Sequence, residues 1–442
     1  MNIQLSDHFS YKRLLQFTIP SIIMLVFTSI YGVVDGLFVS NFVGSNALSS
    51  INIIYPLVMA VGAFGFMLGT GGSAEISKAL GEGKKEKAKE YFTLLILVVI
   101  LIGILLSVIC IALMRPICYL LGASELLIED CVTYGNILLL GSVFFMLQTS
   151  FQTFFVVAEK PKLGLNLTLL SGIANMVLDY LFIYVWGWGI AGAAWGTIAG
   201  YFIGGVFPIF YFLLPNSSIL RFRKTKLYLR MLLRSCINGS SEMVSNISMS
   251  FITVLYNIQI MKLIGETGVA AYSAIMYVNF VFVSIFIGFS IGVAPIISYH
   301  FGAKNQEELK NIFKKSIRII AITSFAMVIS AQLFSSIIGV SFSGGDPKLA
   351  ALTDEGFRLY SISFLFCGIS IFGSAFFTAL CNGKVSATIS FLRTLALPAI
   401  TILTLPLLLG LNGVWLTIVF SDGIAFFITF RCFMKYKSRY GY

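Results

Sequence analysis

Charge is scarce in this chain. Asp, Glu, Lys and Arg together make up 11% of its 442 residues, where a soluble domain carries roughly a quarter. So few charges cannot dress a soluble surface. The mean hydropathy of +0.92 and the 58% apolar content instead describe an integral membrane protein. Histidine occurs only as His8 and His300, each in a stretch expected at the surface and without a ligand partner. The seven cysteines, at 110, 118, 131, 236, 367, 381 and 432, lack metal-ligand spacing, which excludes a zinc module and a disulfide framework. Only Cys118 and Cys131, flanking one connection, are placed to pair. No G-x-x-x-x-G-K-[ST] loop occurs, so an ATPase of that kind is excluded. No nucleophile–base or metal-ligand cluster marks an enzyme, and no cofactor is expected. Lys12 and Arg13 precede an apolar run too long for a cleavable signal, so the first span is read as its own retained signal.

What the chain does have is apolar runs, with room for about a dozen spans of about 20 residues. They fall at 14–38, 51–74, 91–113, 133–157, 165–187, 190–213, 237–261, 269–296, 317–338, 358–380, 386–408 and 412–433. The connections alternate in charge. Of the 30 basic residues, 26 fall on one side, Arg393 among them, leaving Arg115, Lys262, Lys348 and Arg358 opposite. Positive charge marks the cytoplasmic side, so both termini are expected inside. The net charge of +11 then reports orientation rather than a nucleic-acid partner.

An internal repeat organises the spans. Shifted by 221 residues, Gly44 meets Gly265, Gly71 meets Gly292, Ser77 meets Ser298 and Gly81 meets Gly302. Gly189 and Gly192 meet Gly410 and Gly413 at the same shift. Six spans per half is an even number, so the symmetry axis runs along the membrane normal. The expected organisation is an N-terminal lobe over 1–214, a basic cytoplasmic linker over 215–236 and a C-terminal lobe over 237–442.

Within Ile30–Gly44, IYGVVDGLFVSNFVG, one carboxylate interrupts the apolar run. Asp35 lies roughly 30 Å along the first helix at 1.5 Å per residue. An ionised carboxylate in hydrocarbon is costly and mostly faces a bundle interior or an aqueous cavity. Asp179, in Asn175-Met-Val-Leu-Asp179, sits at similar depth in the fifth span, and Asn175 shares its helix face. Two acids and an amide on different helices suit a proton or cation site. Asp35 meets Tyr256 in the repeat and Asp179 meets Ile400, so coupling is expected in the N-terminal lobe alone.

Other polar residues in the spans stay open between two roles. Glu242 either compensates the seventh helix's dipole or binds a cation in the cleft. Asp422 is either a hydrogen-bond acceptor within its lobe or a substrate contact. Gln148 and Gln152, one turn apart, either line a cavity or join helices. Pro20 removes a backbone hydrogen bond within the first helix and permits a bend there. Gly187-Trp-Gly189-Ile-Ala-Gly192 matches G-x-G-x-x-G but follows a membrane span, not the strand a dinucleotide site requires.

Taken together, the Asp35 stretch, the Gly81-Glu-Gly83 loop with its repeat at Gly302, and Asn175-Met-Val-Leu-Asp179 followed by GWGIAGAAWGT resemble the multidrug and toxic compound extrusion (MATE) family. The resemblance covers essentially the whole chain and is greatest to the DinF- and MepA-type branch. It implies an all-α membrane protein of twelve transmembrane helices in two six-helix lobes. It also implies antiport, exporting organic cations or amphipathic drugs against inward H⁺ or Na⁺ by alternating access, in the inner (cytoplasmic) membrane and as a monomer. The family's coupling residues fall on Asp35, Asn175, Asp179 and Thr197, with Tyr134 as a further candidate and Pro20 as the bend. Glu242 resembles a seventh-helix Glu of other branches. The rival expectations are a lipid-linked oligosaccharide flippase, a channel and a membrane-embedded enzyme.

Overall fold

The computed structural model describes residues 3–442, apart from the side chains of Val33, Leu37, Ser40, Asn41 and Ser45. Each long apolar run forms a helix, because hydrocarbon leaves backbone groups no partner but one another. In the first half come α1 (Tyr11–Phe42), α2 (Ser45–Gly81), α3 (Lys85–Ala112) and the short α4 (Met114–Leu120). Next, α5 (Ile128–Leu140) and α6 (Ser142–Val157) form one span bent by 54°. α7 (Pro161–Asp179) continues through a π-helical turn, Tyr180–Val185, and α8 (Gly189–Leu213) closes the half.

The second half repeats the plan with α9 (Leu229–Leu263), α10 (Glu266–Gly302) and α11 (Gln306–Phe342). α12 (Pro347–Ser361) and α13 (Phe364–Ala379) are again one span, bent by 52°. α14 (Gly383–Phe391), a π-helical turn at Leu392–Ala396 and α15 (Leu397–Leu409) make the next span, and α16 (Leu411–Tyr440) the last. Ten single spans and two bent pairs give twelve among the described residues. The 221-residue register holds in three dimensions. α2 and α10 each run 37 residues at that offset. Gly44 and Gly265 both have positive φ, 114° and 84°, as do Gly189 and Gly410 at 55° and 56°. Those turns need glycine because a Cβ would clash in that conformation.

Three expectations change. α9 already begins at Leu229, so the extended linker covers 214–228 and the residues 229–236 are helical. Arg393 is not in a connection. It lies ten residues inside the span that starts at Gly383, about 15 Å deep at 1.5 Å per residue. His300 is 2% exposed, and by hydrogen-bond geometry neither ring nitrogen has a partner among the described residues, with the backbone of Leu5 and Asp7 beside the ring; the last turn of α10 is packed rather than solvated. Cys118 and Cys131 are both buried free thiols rather than a pair, and Cys131 Sγ donates to the Ser50 carbonyl at 3.8 Å.

The lobes meet on the face that carries both termini. There α2 packs on α9 and α10, and α1 packs on α10. Glycines let the backbones touch: a Cβ on Gly71 would overlap the carbonyl oxygen of Ser235, and one on Gly239 that of Met67. The pair Gly81 and Gly302 does the same reciprocally against Tyr299 and Lys78. Such small-residue contacts are how helices associate where no hydrophobic effect drives them. Farther from this face, Ser29 Oγ donates to the Phe280 carbonyl at 3.4 Å.

Two arms cross the interface. The segment before α1 reaches the opposite lobe: Phe9 N donates to Glu308 Oε1 at 2.9 Å, and Lys315 Nζ donates to the Phe9 carbonyl at 2.6 Å. His8 Nδ1 meets Glu308 Oε2 at 2.6 Å, while Leu5 N donates to Glu159 Oε1 of its own lobe at 2.7 Å. The linker before α9 does the mirror task on α3. Arg223 pairs with Glu86, Thr225 Oγ1 donates to the Glu90 carbonyl at 2.9 Å, and Phe222 stacks on Phe92 at 5.2 Å.

A side chain forced into the glycine contact should part the lobes on this face. In a background without reactive native cysteines, Ser77→Cys (Ser77 is fully buried here) is expected to resist an impermeant maleimide. Adding Gly71→Val should raise its labelling about tenfold, from the roughly 1–3 kcal/mol that overpacking costs; unchanged labelling would show that the glycine contact does not hold this face shut.

Candidate ion site

α1 carries Asp35 and α7 carries Asp179 to one point inside the N-terminal lobe. Their carboxyl groups face each other within hydrogen-bonding reach. Asn175, one turn before Asp179, donates from Nδ2 to Asp179 Oδ2 at 3.0 Å. Asp179 is 1% exposed and Asn175 4%. Among the described residues, Oδ1 of each aspartate has no partner. The three residues that helical spacing singled out therefore do converge, with acceptor capacity left over.

The neighbouring helix makes the room. A Cβ on Gly196 would overlap Asp179 Oδ1, one on Gly200 would press on Asn175 and Ser171, and one on Gly204 would strike Gln148. Gly196, Gly200 and Gly204 thus form a groove down α8 that receives the polar stripe Asp179, Asn175, Ser171 of α7. Glycines at four-residue spacing in a span are the signal that would have found this groove. Thr197 stands next to Gly196, but its hydroxyl donates to the Ala193 carbonyl of its own helix at 3.0 Å. It borders the site without bonding either acid.

Tyrosines surround the pair. Tyr134 is 5% exposed and lies within electrostatic reach of both Asp35 and Asp179. Sequence reasoning missed three more, Tyr31, Tyr55 and Tyr201, each in electrostatic reach of Asp35 or of one another. Tyr31 had a signal, standing one turn before Asp35 on the same face; Tyr55 and Tyr201 come from other helices and had none. Below the acids, Gln148 Nε2 donates to Ser171 Oγ at 3.1 Å, and Ser171 Oγ donates to the Gly200 carbonyl at 2.7 Å. Gln148 and Gln152 line a void of about 10 Å³ with Thr168, space for about one water.

α1 runs unbroken through Pro20, which sits where Thr18, Ser21 and Ile22 press on Gly288 and Gly292 of α10. Glu242 and Asp422 belong to the other lobe and do not join Asp35 and Asp179. Both lie within electrostatic reach of Arg393.

Chemically, the N-terminal site offers two carboxylates, an amide and phenolic oxygens, with Asp179, Asn175 and Tyr134 buried and Asp35 partly exposed. That set suits a proton or a small monovalent cation, since two unpaired negative charges in one apolar lobe repel and lack solvation.

Comparison with known proteins agrees with this architecture. The chain is 25% identical over 438 residues to the multidrug export protein MepA of Staphylococcus haemolyticus, covering 97% of this chain and 94% of that one. Among solved structures, the outward-facing conformation of a multidrug resistance MATE family transporter of the MOP superfamily superposes with a TM-score of 0.93 at 21% identity. It covers 99% of this chain and 98% of that one. A MOP superfamily transporter from Pyrococcus furiosus gives 0.90 at 21% identity, covering 98% and 97%. The MatE family model matches twice, once in each lobe, over residues 20–181 and 243–404. With both halves matched and the same two-lobe fold, the chain belongs to the MatE family.

Proposed function

We propose that the chain is a secondary-active multidrug efflux antiporter of the cell membrane, exporting organic cations or amphipathic compounds in exchange for H⁺ or Na⁺. The observation that carries this reading is the facing of Asp35 and Asp179 inside one lobe of a two-lobe bundle. Its MepA relatives are named as multidrug export proteins, and the acids within the spans outnumber Arg393, the basic residue set deep in a span, which favours positively charged cargo. The basic face with both termini is cytoplasmic in this reading, and the working unit is one chain.

Coupling follows from what α1 touches. At one end it holds Asp35 against Asp179 of α7. Several turns earlier, Thr18, Ser21 and Ile22 bear on α10 of the opposite lobe. A proton or sodium ion taken up between the acids removes their repulsion and changes how α1 rests on α7. The same helix transmits that change to the lobe contact, and Pro20, with no backbone N–H to give, is where it bends most easily. Ion and cargo need only prefer opposite arrangements for exchange to follow, because each shifts the equilibrium by its differential affinity. A lipid-linked oligosaccharide flippase would need several cationic side chains in the cleft to hold pyrophosphate, and the spans supply mainly acids.

Removing either acid should uncouple transport. Asp35→Asn and Asp179→Asn are each expected to abolish gradient-driven efflux of a fluorescent organic cation from proteoliposomes while the protein still inserts. Undiminished efflux in either variant would take that residue out of the mechanism. The coupling ion is identified by imposing pH and sodium gradients separately on the same vesicles: one gradient should drive efflux and the other should not, and efflux indifferent to both would end the antiport reading. Gly196→Val should mimic Asp179→Asn, because the added side chain fills the space its carboxylate uses; wild-type transport in that variant would mean the groove does not hold Asp179 in place.

A further inference from the structure

The two lobes differ less than the register of the acids suggests. Asp35 of α1 corresponds to Tyr256 of α9 under the 221-residue shift, and Tyr201 of α8 corresponds to Asp422 of α16. In the N-terminal lobe Tyr201 lies within electrostatic reach of Asp35. In the C-terminal lobe Tyr256 lies within electrostatic reach of Asp422. The acid and the tyrosine have changed places between the first and last helices of the lobe, and the pair survives.

The surroundings of Asp422 point to a ligand. Asp422 is 3% exposed and its Oδ1 has no partner among the described residues. The Tyr256 hydroxyl, at 2% residue exposure, also lacks a partner by hydrogen-bond geometry among the described residues, with Thr417 of α16 beside it. From the helices packed on α16, Tyr256 (α9), Tyr360 (α12), Cys367 (α13) and Arg393 (the π-helical turn) are the titratable and charged groups within electrostatic reach. None forms an ion pair with it in this structure. A sodium ion is a poor occupant, since the Arg393 guanidinium repels a second cation. A proton needs one oxygen and no coordination shell.

We propose that Asp422 is a second proton-binding carboxyl, the C-terminal lobe's counterpart of the Asp35 site with acid and tyrosine exchanged between helices. The Tyr256 hydroxyl donates to Asp422 when the proton leaves, and Arg393 offsets part of the charge that remains. The C-terminal lobe then takes up a proton at its own site, whichever ion the Asp35–Asp179 pair takes. The proposal extends the antiport reading and rests on it for the meaning of the proton.

Infrared difference spectroscopy of the reconstituted full chain, titrated between acid and alkaline buffer, tests this through the carbonyl stretch of protonated carboxyls. A band is expected that Asp422→Asn loses and that the Asp35→Asn/Asp179→Asn double variant keeps. Tyr256→Phe, whose ring can keep its 4.8 Å stack on Tyr272, should retain the band and change its proton affinity roughly tenfold, the effect of one hydrogen bond to a charged group. A spectrum unchanged in Asp422→Asn overturns the proposal. If Asp422→Asn does not fold, an unshifted band in Tyr256→Phe overturns it instead. Efflux persisting in the double variant defeats the antiport reading and leaves the Asp422 band to be judged separately; a missing Asp422 band beside lost efflux in the double variant defeats the second site alone.

Discussion

Two carboxyl groups pointed at each other inside a membrane-spanning bundle set the terms for the N-terminal lobe. Solvation that water would have supplied must come from a neighbouring amide, from phenolic hydroxyls or from a bound cation. The surrounding sequence is arranged to meet that demand. Asn175 gives one hydrogen bond to Asp179, the buried Tyr134 lies nearby, and glycines on α8 bring its backbone against Asp179 and Asn175. Any of these could be altered alone and still leave twelve helices in a membrane. What would be lost is a place where adding or removing one positive charge changes how two helices sit.

The scaffold around that place is duplicated, but the chemistry is distributed unevenly over it. Matching turns, matching bends of 54° and 52° and matching glycines show that the backbone of each lobe obeys the same packing rules. Side chains are under no such obligation, because a helix span tolerates one polar residue at several positions of similar depth. An acid can therefore move from the first helix of one lobe to the last helix of the other and keep the same tyrosine company.

Much of the fold was legible in the chain. Apolar runs bounded by charge gave the spans, since burial in hydrocarbon leaves little alternative to a helix, and the constant 221-residue shift gave the two lobes. Asn175 and Asp179 were legible because helical spacing alone puts them on one face. Charge alone puts Arg393 with the basic face, although its helix begins ten residues earlier, at Gly383. His300 was misread because a polar residue at a helix end is solvated only if nothing packs there. Tyr55, Tyr201 and the pairing of Asp422 with Tyr256 had no local signal; they depend on which helices become neighbours.

The crossed arms carry a consequence of their own. Because the residues before α1 hold the far lobe, and the linker before α9 holds the near one, each bundle is clasped by a strand leading into its sibling. The lobes are not free bodies on this face; parting them there would require at least one clasp, with Glu308 or Glu86 as its anchor, to slide or let go. An affinity tag or fluorescent protein joined ahead of Leu5 would pull on that buckle, whereas one joined inside the turn at 122–127 on the opposite face would leave it alone.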